Sequence, residues 1–286
     1  MVIQDRRLAC GMHGVLRMKK RRGSQRNTTN WSLLLGIVLV SAVLLFVVVG
    51  LFWTPYEPTQ YSAALKNKPP SLSHPFGTDN LGRDILSRVM DGASTTFLIS
   101  LITVAIGLAA GTVIGAFTGY YGGAVDELLM RLNDTLTSFP SILLALVFVS
   151  VIGTGKYNII LALGIIFIPS FARVVRSEYI VQKELDYVRN AKLLGAGDLR
   201  IMFVHILPNT KPILLSTITI GLNNAILAEA GMSYLSLGVQ PPDASLGRML
   251  SEAQTYLMSA PWSALAPGLM IVFTVLGFSL ISENLR

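Results

Sequence analysis

Residues 31–53 read WSLLLGIVLVSAVLLFVVVGLFW, an unbroken stretch without Asp, Glu, Lys or Arg. A helix needs about 20 apolar residues to cross the roughly 30 Å hydrocarbon core of a bilayer, so this stretch predicts a transmembrane helix. It is longer than the apolar core of a signal peptide, which has about 7–15 residues, and no small-x-small cleavage site follows Trp53. We interpret it as a retained membrane helix, with a secretory signal as the alternative.

Five further uncharged runs follow along the chain. The second lies within residues 92–125 and is apolar from Phe97 to Phe117. The remaining runs cover residues 135–155, 157–172, 212–228 and 253–282. The fourth and fifth runs are short and contain Pro169 and Gly221, which membrane helices tolerate where neighbouring helices satisfy the loosened backbone. The pattern predicts an all-α, polytopic membrane protein with six transmembrane helices.

The composition favours a membrane chain over a soluble one. Of its 286 residues, 52% are apolar and 14% are charged, and the mean hydropathy is +0.57. An average soluble domain has about 25% charged residues, and disordered chains are poor in apolar residues. The single cysteine, Cys10, excludes an intrachain disulfide and a cysteine-rich metal fold.

The distribution of Lys and Arg predicts the orientation of the chain. Of 23 such residues, 17 fall in the N-terminal tail, in the 173–211 loop, near Arg131 and at Arg286. Cytoplasmic loops carry the excess of positive charge, so both termini and this loop are expected in the cytoplasm. The predicted division is a basic cytoplasmic tail at 1–30, a first transmembrane helix at 31–53, an extracytoplasmic segment at 54–92 and a core with five transmembrane helices at 93–286.

Glycines recur at every fourth position of the second run, at Gly107, Gly111, Gly115 and Gly119. Residues four apart share one face of a helix, and glycine lets another backbone approach closely in lipid. The four glycines therefore predict a close contact between helices. The pattern leaves open whether the second helix belongs to this chain or to a partner subunit.

Ionisable residues are nearly absent from the predicted spans. Glu229 ends the fifth run, and Asn223 and Asn224 precede it by one to two turns. A carboxylate within a membrane is a functional hypothesis, so we take these three residues as candidates for the substrate path. The alternative is a structural polar group near the outer interface.

The sequence shows no catalytic constellation. His13, His74 and His205 are isolated from partners, and residues 153–156 lack the spacing and the hydroxyl of a phosphate-binding loop. We therefore expect a non-catalytic chain that holds no metal and binds no cofactor. If ATP drives its activity, another subunit must bind that ATP.

The 173–211 loop is helix-prone up to Leu194. Gly195 and Gly197 then break the helix, and Asp198 is suited to cap a second helix that Pro208 would end. Two short helices joined by this Gly-Ala-Gly corner would form a compact projection with small residues at its tip. Such a projection suits docking into a groove of a partner, and a solvated loop is the alternative.

Residues 74–88, ahead of the second run, read HPFGTDNLGRDILSR. This extracytoplasmic motif contains turn and cap signals that open a helix outside the membrane: Gly77, Thr78, Asp79, Gly82, Arg83 and Asp84. We expect Asp79, Arg83 and Asp84 to form a local ion pair that braces the segment.

Several of these motifs resemble those of a known family. Ala191-x-x-x-Gly195, followed by Leu207-Pro208, is similar to the EAA loop of ABC importer permeases. Arg189 and Asn190 replace the Glu and Ala of that motif. Further stretches resemble the dipeptide/oligopeptide/nickel subfamily, namely residues 74–88, 119–131, 139–140, 235–242 and 259–262. The similarity covers residues 31–286 and follows the pattern of the C-type permease subunit.

The resemblance implies a type I ABC importer permease fold whose coupling loop sits in a cleft of the cytosolic ATPase. It implies a homologous permease subunit, two cytosolic ATPase subunits that bind ATP, and an extracytoplasmic substrate-binding protein as partners. The surroundings would be the lipid bilayer of the cell membrane. Independently of the resemblance, the basic tail beside a transmembrane helix is interpreted as a determinant of topology, with an arm that binds nucleic acid as the alternative, and no nucleic-acid partner is expected. The coupling role would fall on Tyr187, Ala191, Lys192, Leu194, Gly195, Ala196, Asp198, Leu207 and Pro208.

The resemblance implies short peptides as cargo, with nickel or a metal–chelator complex as the alternative toward which residues 230–234 lean. An ion-coupled secondary transporter is a candidate from another class. It would need an intramembrane ion site, for which only Glu229 is available, and paired broken helices, which Pro169 and Gly221 do not convincingly supply. An intramembrane enzyme is disfavoured because no acid, base or metal cluster lies in the spans.

Overall fold

The computed structural model describes residues 26–284, with side chains from residue 31 onward. The basic tail predicted at 1–30, including His13, lies outside the residues whose side chains are described. The described chain forms nine longer helices, numbered here in order: α1 Arg26–Phe52, α2 Ile85–Tyr121, α3 Gly123–Thr137, α4 Ser141–Ile152, α5 Lys156–Gln182, α6 Asp186–Leu193, α7 Asp198–Tyr234, α8 Leu246–Ala253 and α9 Trp262–Asn284. Two short 3-10 helices lie at Ala63–Leu65 and Gln254–Tyr256. Residues 26–284 contain no strand beyond an isolated bridge between Thr78 and Asp84.

Five of these helices, α1, α2, α5, α7 and α9, are long and apolar enough to cross a membrane. The third predicted span is broken, because α3 and α4 meet at an angle of 89°. Pro140 lies at this break, and the residue before a proline is disfavoured in helical conformation. Counted as one broken span, the pair brings the total to the predicted six. The 12 residues of α4 are about 18 Å long, so α4 by itself covers only part of a bilayer core.

The predicted end of a helix at Pro208 is wrong. Helix α7 continues from Asp198 to Tyr234, through a π-helical turn at Ile201–Ile206 and a 3-10 turn at Leu207–Thr210. Pro208 lies at the start of the 3-10 turn, where a missing N–H costs little. The predicted loop is also shorter than expected, because residues 173–182 belong to α5 and only residues 183–197 lie between the two long helices.

The glycine face of α2 packs against α5 of the same chain. A Cβ atom added to Gly111 would lie 2.6 Å from the Cβ of Phe171, and one added to Gly115 would lie 2.5 Å from the carbonyl oxygen of Ala172. Both distances are shorter than real Cβ contacts, so the approach of the two helices requires glycine. The structure thus answers the question that the sequence left open, because the neighbouring helix is internal.

Helix α1 packs along α9 through a similar close contact. A Cβ atom on Gly277 would lie 2.8 Å from Val40, and one on Gly36 would lie 2.9 Å from Leu280. The opposite face of α1 exposes large apolar side chains, as a lipid-facing helix does. Helix α1 is thus joined to the last span of the bundle, and its retention in the mature protein stays a prediction.

Candidate functional site

A short projection stands at the end of the bundle where α5 ends and α7 begins. We call it the knob, and it comprises residues 186–197. Val188, on the inner face of α6, is 4% exposed, whereas Leu193 and Leu194 at the tip are 85% and 88% exposed. Two adjacent leucines exposed beyond the apolar spans form a surface suited to a protein partner.

A Schellman motif closes the tip of the knob. The Gly195 N–H donates to the Lys192 carbonyl and the Ala196 N–H donates to the Ala191 carbonyl, each at 3.0 Å. Gly195 has φ +83°, the left-handed conformation that this motif requires. Ala191 and Ala196 both pack on the buried cluster below the knob. The spacing Ala-x-x-x-Gly is therefore explained by the C-terminus of α6. Ala191 lies in the last turn of the helix, and Gly195 directly follows its C-cap residue, Leu194.

The base of the knob is held by a buried cluster between α2, α5 and α7. Its core is formed by Ala116, Val175, Tyr179, Val188, Ile201, Met202 and Ile206, with Tyr187 and Leu207 packed at its edge. The Tyr179 hydroxyl donates to the Met202 carbonyl at 2.9 Å, and the Tyr187 hydroxyl donates to Gln182 Oε1 at 2.8 Å. The knob thus rests on the ends of three long helices.

Asp198 does not cap α7 as predicted. The helix begins at Asp198 itself, and Gly197 occupies the capping position without a side chain. The Asp198 carboxylate instead accepts a hydrogen bond of 2.7 Å from the Tyr120 hydroxyl at the end of α2. Of the other predicted coupling residues, Lys192 and Pro208 have exposed side chains.

A groove of about 340 Å³ lies between α4, α5 and α7. Its polar lining comes from Asn224, Ser141 and Ser170, and its remaining walls are apolar. Asn224, a predicted path residue, is exposed into this groove, while its neighbour Asn223 is half-buried. Asn224 is therefore the predicted path residue that lines this groove.

Glu229, the third predicted path residue, lies away from the groove. Its side chain is fully buried, and Oε1 accepts a hydrogen bond of 2.6 Å from the Ser233 hydroxyl. The hydroxyls of Thr96 and Ser245 face the same carboxylate. Each of the three hydroxyl oxygens also accepts one backbone N–H. The Val239 N–H donates to Ser233, the Leu246 N–H donates to Thr96, and the Arg248 N–H donates to Ser245. Glu229 therefore joins α2, α7 and the start of α8, which favours the structural alternative.

An ion-pair network braces the opposite end of the bundle. Arg83 Nε donates to Asp79 Oδ2 at 2.6 Å, and this contact is part of the local ion pair expected from the sequence. Arg83 and Arg88 both donate to Glu252 Oε2, at 2.7 and 3.0 Å. All four side chains are buried or nearly so. Arg88 and Glu252 were not predicted as site residues, because no local pattern in the sequence signals a pair separated by 164 positions.

Asp84 does not join that ion pair. Its carboxylate caps α2 by accepting the Ser87 N–H at 2.8 Å, and it also contacts His74 Nδ1 at 2.9 Å. The prediction that His74 is isolated is therefore wrong. Gly77 and Gly82 have φ of +74° and +77°, which fold the segment back so that Asp84 and His74 meet. Among residues 31–284, whose side chains the structure describes, no three His, Cys, Asp or Glu side chains are grouped as metal ligands would be.

Comparison with known proteins identifies the family. Residues 111–286 match the model of the binding-protein-dependent transport system inner membrane component. The chain belongs to this family. The matched region contains the knob, the groove and Glu229, and it begins within the glycine face of α2.

Two relatives cover nearly the whole chain. It is 37% identical to the dipeptide transport system permease protein DppC of Haemophilus influenzae over 263 residues, which make up 90% of this chain and 89% of DppC. It is 42% identical to the glutathione transport system permease protein GsiD of Escherichia coli over 248 residues, 85% of this chain and 82% of GsiD. The resemblance to the dipeptide/oligopeptide/nickel permeases is confirmed.

The fold is similar to that of a solved transporter. A chain of the MetNI methionine ABC transporter, in an inward-facing conformation, superposes with a TM-score of 0.54 at 15% identity. The superposition covers 69% of this chain and 96% of that chain. The protein is thus a multi-pass inner-membrane permease of an ABC importer, and the predicted all-α importer fold is confirmed.

Proposed function

We propose that this chain is the C-type permease subunit of an importer for short peptides. It forms the translocation path with a homologous permease subunit, and two cytosolic ATPases, which bind the ATP, drive it. An extracytoplasmic binding protein delivers the cargo, and both termini lie in the cytoplasm. The names of DppC and GsiD, for dipeptide and glutathione transport, support peptide cargo over nickel or a metal chelate.

The knob is the observation that carries this proposal. Its leucine tip is exposed, its backbone corner is open, and nothing lies within 4 Å of the positions that Cβ atoms on Gly195 and Gly197 would occupy. These features suit insertion into a cleft of an ATPase. The basic residues of the 173–211 region support a cytoplasmic position for the knob.

The groove between α4, α5 and α7 supports a role in conduction. We place the peptide path along it, with Asn224, Ser141 and Ser170 as hydrogen-bonding groups on an otherwise apolar wall. Closure of the two ATPases would draw the knobs of the two permeases together. Because each knob rests on the ends of α2, α5 and α7, this rigid-body motion would change access to the path.

The docking role is tested by Leu194→Asp in the complete importer. Burial of a leucine contributes about 1.5–3 kcal/mol, so we expect at least a tenfold loss of ATPase affinity with normal membrane insertion. Leu72→Asp, at a fully exposed leucine near the opposite end, is the matched control. Co-purification of the ATPases with each variant measures the effect. Normal amounts of ATPase bound to Leu194→Asp would refute the docking role.

A further inference from the structure

Lys183 lies in the short non-helical hinge, residues 183–185, that joins α5 to the knob. Its Nζ donates to the carbonyl oxygens of Gly119 at 3.0 Å and of Tyr120 at 3.3 Å. These carbonyls belong to the last turn of α2, where backbone oxygens lack partners within the helix and the helix dipole is negative. An ammonium group from the hinge thus caps a helix that precedes it by more than sixty residues.

The last turn of α2 also contacts the residue that follows the knob. The Tyr120 hydroxyl donates to Asp198 at 2.7 Å, and Asp198 is the first residue of α7. Gly119 lies so close to Tyr179 that an added Cβ would approach the Tyr179 Cβ to 2.6 Å. The end of α2 is therefore fixed to the residues that enter the knob and to the residue that follows it.

We propose that Lys183 is a positioning residue that locks the knob to α2, so that force on the knob moves α2 together with α5 and α7. This inference rests on the proposed docking of the knob on an ATPase. Without the lock, the non-helical hinge at 183–185 would absorb a tilt of α6. With it, the tilt reaches a helix of 37 residues, about 55 Å long, that leads to the ion-pair network at the opposite end.

The test is the number of peptides transported per ATP hydrolysed by the reconstituted importer. Lys183→Met keeps the unbranched side chain up to the position of Cε and removes the ammonium group. We expect ATPases to remain bound and ATP to be hydrolysed, while transport per ATP falls at least about fivefold, the lower end of typical coupling between sites. Lys183→Arg should restore most of the ratio. Lys211→Met, at an exposed lysine without an ion pair among the described residues, is the control and should leave the ratio unchanged.

The outcomes separate the lock from the docking role. If Leu194→Asp releases the ATPases and Lys183→Met leaves the ratio unchanged, the lock is wrong and the docking role stands. If Lys183→Met itself releases the ATPases, Lys183 is a docking residue and the lock is also wrong. Should Lys183→Met fail to accumulate, Lys183→Ala removes the ammonium group without placing a long apolar side chain against the α2 carbonyls, and an unchanged ratio in that variant would overturn the lock. If Leu194→Asp retains the ATPases, the docking role fails.

Discussion

Gly195 shows how a single backbone conformation shapes the surface offered to a partner. The residue turns the chain through φ +83° directly after α6, and this turn aligns two N–H groups with the carbonyls of Ala191 and Lys192. Gly197, two residues later, has an ordinary φ of −70°. The two glycines look alike in the sequence, yet only the first needs the left-handed conformation.

We expect Gly195→Ala to weaken the knob and Gly197→Ala to leave it intact. A left-handed conformation costs a non-glycine residue about 1–2 kcal/mol, and neither position has a neighbour that a methyl group would strike. The predicted effect is a fall of about tenfold in the affinity of the permease for its ATPase with Gly195→Ala. A titration of ATPase binding to the purified permease measures it. Equal losses in both variants would show that steric contact with the ATPase, and not backbone strain, decides the result.

Glu229 illustrates how burial can redirect an interpretation at the residue scale. A lone carboxylate near the end of a membrane helix is a candidate for contact with cargo. In the structure it is enclosed by three hydroxyl groups, each of which also binds a backbone N–H. The carboxylate thus connects three helices and does not line the groove.

At the scale of elements, the contact of α2 with α5 organises the core. The glycine face of α2 allows the two backbones to approach until the α5 carbonyls lie against α2. Close approach of this kind provides the dispersion contacts that hold helices together in lipid. The knob and the groove both depend on the contact between α2 and α5, because the end of α5 supports the knob and its middle forms one wall of the groove.

We expect Gly111→Ala to destabilise the folded protein and Gly231→Ala to be neutral or slightly stabilising. The new methyl group at position 111 would lie 2.6 Å from the Phe171 Cβ and 2.9 Å from the Ile168 carbonyl oxygen, whereas nothing lies within 4 Å at position 231. Overpacking of this kind costs about 1–3 kcal/mol, while alanine is favoured over glycine inside a helix by about 0.5–1 kcal/mol. Thermal unfolding in detergent measures both variants. An unchanged melting temperature for Gly111→Ala would contradict the packing.

Periodic and compositional signals predicted the elements well, and long-range contacts could not be predicted in this way. The apolar runs located the spans, and the four glycines indicated a close helix contact. Local rules failed at Pro208, because a π-helical turn before it changes the hydrogen bonding of the helix. The pairing of Arg88 with Glu252 depends on the folding of distant segments, which a single sequence does not encode as a pattern.

At the scale of the whole molecule, the two ends of the bundle are braced in different ways. The end opposite the knob is tied by buried ion pairs from Arg83 and Arg88 to Glu252 on α8, and by the hydroxyl cluster at Glu229. The knob end combines a buried apolar cluster with the cationic tie from Lys183 and with ion pairs from Arg173 and Arg176 on α5 to α3. Long helices join these two braced ends, which suits the proposed transmission of motion from the ATPases.

We expect the complete importer to transport a labelled dipeptide with ATP after all ion gradients are collapsed, and to stop when ATP is depleted. An ion-coupled carrier would need an ionisable site that faces the path, and the one carboxylate of the predicted spans is enclosed by hydroxyls away from the groove. Uptake into vesicles with and without ionophores measures this directly. Dipeptide uptake by this chain alone, driven by an ion gradient, would refute the proposal that ATP drives transport. The ion gradient would then supply the free energy, and the knob would not need to bind an ATPase.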